Sequence, residues 1–527
     1  MRFADAIVPT EWAMDELIHA EFHGGRTEDA PMTWAQQVMW RAATLSRTQH
    51  LFLNLRRVLA VPRRAPANLS SVVQAIGTLV GRHGGLRTRV CRTADGTSRQ
   101  ETAAAGQVPV LVVAGTGDGA AAAAELTRRL GDVAFDHGRE WPVRFAVVRV
   151  DGVVRQLVLV FSHSTVDAYA VEVVLREPRL ILLRGDLGTP AGLQSVDVAR
   201  RQHGPDQRRS ARTVAYWLRQ YRRLADVSLD GPAPPATPRL HRGTLVSSAA
   251  ATAARMVAAR HRVSFSTVLL AATTALSAGA NGRQVCGQFN RSHNRFRPEY
   301  VNAIANLGQI GFCVLDIADR PGFFELLPRI YRVALDGYLH AYYDAAAMRT
   351  TFEELGYDYT TAFLPHYYFN DVRLPGGDLV DDVPPVAEQQ LRATADGSHF
   401  TLIDGLDAAS WHRLLHVVDE PEALGLTYTV DTRSLRRRRS SRTCVTWRRC
   451  SSRPRTGTCP GPGSPADAAE PTGAQHPGRR AVRRRGTADL EPTRHLAGPG
   501  CLRRRPGDAH LSRTLRCPTG STPTSSG

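Results

Sequence analysis

The 527-residue chain contains no lysine, so all 67 of its basic residues are arginine. Such a composition points to a gene very rich in G and C, and it rules out a Gly-Lys-Ser/Thr phosphate loop. There is no Gly-x-Ser-x-Gly elbow either, which leaves a serine hydrolase unsupported. Cysteine is scarce, at eight residues, and none forms a Cys-x-x-Cys pair; neither a zinc knuckle nor a redox motif is indicated. No run of about 20 uninterrupted apolar residues exists to span a membrane. The opening Met1-Arg2-Phe3-Ala4-Asp5 lacks an apolar signal core. These absences together lead to the expectation of a cytoplasmic protein. Length is not lacking: the chain can hold about two to four domains and a large core.

The net charge of +18 would suit nucleic-acid binding, but it is unevenly spread. Residues 434–527 hold 20 arginines against 5 acidic residues, +15 in all, which leaves +3 for residues 1–433. Five of the eight cysteines (Cys444, Cys450, Cys459, Cys501 and Cys517) fall in the same stretch, against Cys91, Cys286 and Cys313 in the body. The stretch has no Ile, Phe, Tyr, Met or Asn, and its one aromatic residue is Trp447. A segment of Arg, Pro, Gly, Ser, Thr and Ala buries too little apolar surface to offset chain entropy. Residues 434–527 are therefore expected to be a disordered tail. Two origins stay open for it: out-of-frame reading of the gene from near Arg433–Arg439, or a basic tail for nucleic acid or acidic partners. Resequencing the locus separates them. The body carries an ordinary globular charge and gives no reason to expect a nucleic-acid partner.

Within the body, Thr33 to Leu45 reads as a helix with Thr33 as its N-cap. Leu69, Val72, Val73, Ile76, Leu79 and Val80 recur at helical spacing after Asn68, a second cap, and Gly84-Gly85 should end that helix. A strand is expected from Leu86 to Val90. The runs 143–150 and 153–161 read as strands joined by Asp151-Gly152, a strong hairpin signal. The second run is almost continuously apolar, the mark of a strand buried on both faces. A helix follows over 169–183, which Pro178 should kink or interrupt. Beyond a Pro-rich linker at 230–235 come a helix over 265–280, a strand over 283–289 and a long helix over 323–346. Mixed helices and strands on both sides of the linker predict an α/β protein of two α+β lobes, residues 1–190 and 191–433, without internal sequence repeats.

The most compact chemistry lies in Val160-Phe161-Ser162-His163-Ser164-Thr165-Val166-Asp167-Ala168. A histidine stands where a strong strand stops, and a carboxylate follows four residues on. Strand-to-helix turns at the edge of a buried sheet are where α/β proteins commonly place chemistry. An imidazole, with an ordinary pKa of about 6.5, suits proton transfer at neutral pH. Spacing alone leaves His163 open as a general base, as a positioner of a nucleophile, or as a hydrogen-bonded histidine at a strand end. Half a metal site is a poorer reading, because no third or fourth ligand is spaced to complete it. Asp167 could orient the imidazole or be the buried partner of an arginine. The spacing also recurs at His340 and Asp344, where a helix surface is expected.

Five separated blocks, in order, resemble the condensation domains of nonribosomal peptide synthetases. Thr33-Trp34-Ala35-Gln36-Gln37-Val38-Met39-Trp40 resembles the family's Ser/Thr-x-Ala-Gln-x-x-x-Trp opening helix. Arg82-His83-Gly84-Gly85-Leu86-Arg87-Thr88-Arg89-Val90 resembles its Arg-His-x-x-Leu-Arg-Thr-x-Phe block. Phe135-Asp136 with Trp141-Pro142-Val143-Arg144 resembles the lead-in to a central hairpin. Ser162 to Ala168 falls where the family carries His-His-x-x-x-Asp-Gly, and Phe289-Asn290-Arg291, Pro298-Glu299 and Leu307-Gly308 resemble its second-lobe strand and loop.

The resemblance, over roughly residues 30–433, implies a chloramphenicol-acetyltransferase-like fold. Two lobes would form a V with a tunnel at their junction, entered from opposite faces by the 4'-phosphopantetheine arms of two carrier proteins. It implies a free-standing, monomeric acyltransferase acting with peptidyl or acyl carrier proteins in trans, in nonribosomal peptide and antibiotic biosynthesis. An amine or hydroxyl would take a carrier-bound acyl group to give an amide or ester, with no bound cofactor and no metal. His163 matches the catalytic second histidine. Asp167 matches the motif's aspartate, which pairs with an arginine; Arg291 is the first candidate and Arg295 the second. Ser162, Ala168 and Arg87 are the motif-supporting positions. The chain departs from the family at Ser162 (first histidine), Ala168 (glycine), Val38 (a common arginine) and the poorly matched Gly311-Phe312-Cys313. Two other readings stay open: a coenzyme A-dependent acyltransferase of the same fold, and, supported mainly by Ser162 and Ala168, a catalytically inactive module that recruits carriers or partner enzymes. An epimerising relative would carry a glutamate motif that is not evident here, and a heterocyclising one would carry Asp in place of His163.

Overall fold

Two apolar strands joined by an Asp-Gly turn organise the N-terminal half. In the computed structural model, residues 16–431 are described except 46–52, 63, 65–66, 95, 225–238, 282–283, 358–366, 374–385, 407–412 and 421. The linker at 230–235 and the tail at 434–527 lie outside the described residues. Strands β1 (Glu16–His23), β3 (Asn54–Ala60), β6 (Ala105–Ala114), β7 (Val143–Val150) and β8 (Val153–Ser162) form a five-stranded sheet ordered β1-β6-β7-β8-β3. Only its β6–β7 pair is parallel. Asp151 and Gly152 both take left-handed backbone (φ 50° and 78°), which a tight two-residue hairpin turn requires.

The central strands are apolar on both faces because both faces are covered. Val143, Phe145, Val147, Leu157, Leu159 and Phe161 point into a core shared with helices α2 (Leu69–Arg82) and α4 (Ala168–Arg184). Ala146, Val148, Val150, Val158 and Val160 point the other way, onto α3 (Ala120–Gly131). This strict alternation is the period-2 geometry of a strand. It also fixes Ser162 on the α3 side of the sheet.

Local capping sets the helix starts. Helix α1 (Trp34–Leu45) opens with a reciprocal pair: Gln36 N–H donates to Thr33 Oγ1 (3.2 Å) and Thr33 N–H to Gln36 Oε1 (2.7 Å). Asn68 caps α2 through Ser71 N–H at 2.8 Å. The segment after α2 differs from expectation: Gly84–Leu86 is a 3₁₀ turn, and strand β4 starts at Thr88 and runs to Arg92. Gly85 is needed there, since a Cβ would lie 2.1 Å from the Ile304 carbonyl. Strand β4 joins β2 (Glu28–Pro31) and β5 (Ser98–Thr102) in a small three-stranded sheet. Pro178 does not interrupt α4, which runs to Arg184; Val174, Pro178, Ile181 and Leu182 are buried, and packing sustains the helix past the missing N–H.

Residues 240–431 supply a second, seven-stranded sheet. Its strands are β9 (Leu240–Ser247), β10 (Val285–Ser292), β11 (Gln309–Asp316), β12 (Tyr367–Asp371), β13 (His399–Leu406), β14 (Arg413–Glu420) and β15 (Ala423–Asp431), ordered β11-β10-β12-β14-β15-β9-β13. Strand β10 begins and ends later than expected, so Arg291 is part of it. The long helix expected over 323–346 is two helices, Phe323–Leu339 and Ala345–Glu354. Asp344 starts the second, accepting from the N–H groups of Ala346 and Ala347. Between them Ala341, Tyr342 and Tyr343 are buried. No helix among the described residues is long and apolar enough to cross a membrane.

Candidate active site

Strand β8 ends at Ser162 and α4 begins at Ala168, so His163 lies in the turn between them. His163 N–H donates to the Leu53 carbonyl at 2.7 Å, and Thr165 and Val166 N–H donate back to the Ser162 carbonyl. The His163 carbonyl accepts from Asn306 Nδ2 at 2.6 Å. The ring is held at both nitrogens. Nδ1 donates to the Val166 carbonyl at 2.8 Å. The lone pair is therefore on Nε2, which Arg291 Nη2 approaches to 3.3 Å. Burial first, and the Arg291 charge second, lower the His163 pKa to about 4, against the pull of the Val166 carbonyl. The imidazole is thus neutral at pH 7 and half-buried, and Nε2 can accept the hydrogen of an amine or hydroxyl that takes the place of the long Arg291 contact.

Asp167 is sealed and fully used. Oδ1 accepts from Ala170 N–H at 2.9 Å and so caps α4. Oδ2 accepts from Arg295 Nη1 (2.8 Å), Leu307 N–H (2.9 Å) and Gly308 N–H (3.1 Å). Burial pushes this carboxyl up, but the Arg295 charge and these bonds outweigh it and hold it below the usual carboxylate range. The expected first partner, Arg291, is thereby corrected: the ion pair is made by Arg295, whose side chain is 1% exposed. Arg291 is still within β10, opposite Ile310, and its guanidinium lies against His163. Asn294, at φ 54°, then turns the chain and delivers Arg295 to the carboxylate. Counting along the sequence could not separate two arginines four residues apart. An asparagine between them, a residue tolerant of the left-handed region, was the available signal.

Ser162 faces a residue that sequence reasoning missed. Its Oγ accepts from Ser164 N–H at 3.2 Å and meets His137 Nε2 at 2.6 Å. His137 follows Phe135-Asp136 and packs edge-on to Trp40, with ring centroids 5.4 Å apart. Burial, then the charge of Arg144, lower its pKa to about 4. A second neutral imidazole therefore stands beside the position where the motif departs to serine. No spacing rule links 137 to 162; only packing of the loop onto β8 does. Ala168 is not among the residues with positive φ, so the backbone freedom of glycine is not required there. Arg87 donates to the carbonyls of Gly81, Ala103 and Gly24 and ties loops together without touching the His163 turn.

Blocks far apart in sequence converge on one segment, 303–308. Thr33 Oγ1 donates to the Asn306 carbonyl at 3.0 Å. Gly85 packs on Ile304, Asn306 holds His163, and Leu307 and Gly308 hold Asp167. A separate cleft of about 920 Å³, lined by His19, Gln74, Arg82 and Asp186 among others, does not include the turn. Among the described residues no three His, Cys, Asp or Glu side chains converge as a metal site.

The condensation-domain family profile matches residues 26–287. The probable non-canonical nonribosomal peptide synthetase CymA of Salinispora arenicola (strain CNS-205) is 26% identical over 346 residues. That match takes in 60% of this chain and 4% of the relative's length, so the chain spans a small part of that protein. Among solved structures, the condensation domain of chain release from the enacyloxin polyketide synthase is 18% identical, with a TM-score of 0.63 over 85% of each chain. The X-domain from teicoplanin biosynthesis, also solved in complex with OxyB, is 15% identical, with a TM-score of 0.58 over 82% of this chain and 96% of that one. At these identities the structures speak to the fold, a chloramphenicol-acetyltransferase-like pair of α/β lobes. With the profile match and the ordered motif blocks, residues 26–287 of the chain belong to the condensation-domain family.

Proposed function

We propose that this chain transfers an acyl or peptidyl group from a carrier-protein thioester to an amine or hydroxyl, forming an amide or ester in nonribosomal peptide biosynthesis. The observation that supports this best is the His163 ring, whose Val166 bond directs the Nε2 lone pair away from its own turn. In this reading residues 1–190 and 191–433 are the two lobes, and carrier phosphopantetheine arms bring the thioester to a tunnel between them. His163 takes or holds the nucleophile's hydrogen as the C–S bond gives way to C–N or C–O. With a pKa of about 4, the imidazole is a weak base, so positioning the nucleophile weighs more than lasting proton capture. Asp167 and Arg295 act structurally, pinning the turn to 303–308.

A second reading is a recruitment module without chemistry. It is favoured by Ser162 and by the approach of Arg291 to Nε2, and the teicoplanin X-domain with OxyB offers a precedent for assembly. Intact-protein mass spectrometry of loaded carriers tests both. Product with the parent and none with His163→Ala supports the transferase. No product from folded parent, with either acyl-carrier or acyl-coenzyme A donors, favours the module. Turnover only with acyl-coenzyme A would mark a coenzyme A-dependent transferase of the same fold.

A further inference from the structure

Arg291 differs from three buried arginines among the described residues. Arg144 meets Glu140 at 2.9 Å, and Arg295 meets Asp167 at 2.8 Å. Arg87 is spent on three backbone carbonyls. Arg291, half-buried at the end of β10, meets only neutral groups: His163 Nε2 at 3.3 Å and the Tyr368 hydroxyl at 3.5 Å. Both contacts are at the long limit for a hydrogen bond, and among the described residues no carboxylate lies within ion-pair distance of it. The Asp167 carboxylate, taken up by Arg295, Leu307 and Gly308, favours the Arg291 charge only from beyond ion-pair distance, so no N–H of this guanidinium is spent on an anion among the described residues, a costly state for a charge withdrawn from water. It reaches the imidazole only because residue 308 is glycine; a Cβ there would lie 2.6 Å from Arg291 Nη2. A second arginine stands near: burial, together with the charges of Arg242 and Arg291, keeps the nearby His416 neutral, at about 4, while among the described residues Asp167 is the one carboxylate whose charge acts on Arg291.

We infer that Arg291 is a carboxylate subsite, and that the acceptor is a small α- or β-amino or hydroxy acid that enters with its carboxylate free. The inference rests on the acyltransferase reading for the word acceptor, but the anion site stands on Arg291 itself. The geometry sets the size of the acid. A carboxylate oxygen would sit about 2.8 Å from the guanidinium and a nucleophile about 2.9 Å from Nε2. The two nitrogens are 3.3 Å apart, so a nucleophile and a carboxylate oxygen held side by side on them fit one small molecule with one or two carbons between the two groups. An acceptor held this way is not tethered through its own carboxyl as a thioester. In that step the carrier thioester's C–S bond breaks, C–N or C–O forms, the nucleophile's proton passes through Nε2 to the departing thiolate, and the product leaves with a free carboxylate.

The test uses full-length protein and ligand-observed NMR with mandelate, 3-hydroxybutanoate and anthranilate, each beside its carboxamide. The carboxamide keeps the nucleophile and shape but loses the charge. At least one acid of the three is expected to bind roughly 10- to 100-fold more tightly than its amide, the range of charge-assisted hydrogen bonds. Arg291→Gln should abolish that preference, Arg291→Lys should keep part of it, and His163→Ala should leave it intact. Equal binding of acid and amide by the parent overturns the subsite without any variant. So does an Arg291→Gln loss that is equal for acid and amide, which would make Arg291 only a positioner of His163. Failure of acyl transfer with every donor, beside a retained acid preference, overturns the transferase and leaves the subsite. Transfer to a carrier-tethered amine with no acid preference does the reverse.

Discussion

The chain contains the same His-x-x-x-Asp spacing twice, and the two copies share more than spacing. Asp167 and Asp344 are both N-caps, each accepting from N–H groups of the first turn of its helix. His163 and His340 both use Nδ1 on a backbone carbonyl, Val166 in one case and Asp336 in the other. The difference lies in the second half of each side chain. Oδ2 of Asp167 collects an arginine and two backbone N–H groups from residues more than a hundred positions away. The bonds of the Asp344 carboxylate stay within its own helix start. His340 stacks flat on Tyr216, with centroids 3.9 Å apart, as the cap of the preceding helix. Nε2 of His163 instead faces the guanidinium of Arg291. A cap is a local device that any helix uses; a site arises where the remaining valences are taken up by another part of the fold.

That contrast can be broken most severely at the carboxylates. Asp167→Ala should cost about 3–5 kcal/mol, because it strands Arg295 as a buried unpaired charge. Urea denaturation monitored by circular dichroism measures it, and a loss as small as that for Asp344→Ala would erase the distinction. Next in size is the effect on chemistry. His163→Ala should lower acyl transfer roughly 10²–10⁴-fold, while His340→Ala leaves the rate unchanged; carrier mass spectrometry reads both, and equal losses would refute the assignment.

The pH dependence of stability follows from the same burial. His163, His137 and His416 are each lowered to about 4, below the value of about 6.5 for an exposed imidazole. Between those limits the unfolded chain binds more protons than the folded one. Stability therefore rises with pH through this window and is lost as pH falls from about 6.5 towards 4, by on the order of 3 kcal/mol per histidine at most. Asp167, held low, adds a further loss at still lower pH. Denaturation midpoints that do not move between pH 7 and 4.5 would contradict this. The smallest expected effects are those of local bonds: about 1 kcal/mol for Asp344→Ala, and a similar loss for Ser162→Ala, which removes the His137 contact. A Ser162→Ala loss comparable to that of Asp167→Ala would mean that His137 and Ser162 are a second anchor of the turn.

Features governed by neighbours in the chain were legible from residues alone. Thr33 with Gln36, Asn68 with Ser71, and Asp151-Gly152 each carry their own partner or backbone preference within a few positions. The apolar run of β8 announced a strand covered on both faces, and the site at its end followed from where that run stops. The break at His340 was also written locally, since Asp344 is a good N-cap, but an unbroken apolar periodicity concealed it.

Residues 1–433 thus encode by themselves their mixed α/β class, the order of the motif blocks and the turn in which His163 and Asp167 sit. Each of these depends on interactions over a few residues, or on a pattern that repeats along the chain. Only the tertiary structure decided that Arg295 and not Arg291 pairs with Asp167, that His137 meets Ser162, and that Arg291 is left facing the imidazole. Those outcomes depend on a left-handed turn at Asn294, a loop folded onto β8 and the missing side chain of Gly308. Distances between such residues are set by how two sheets and their loops pack, and no spacing along a sequence contains them.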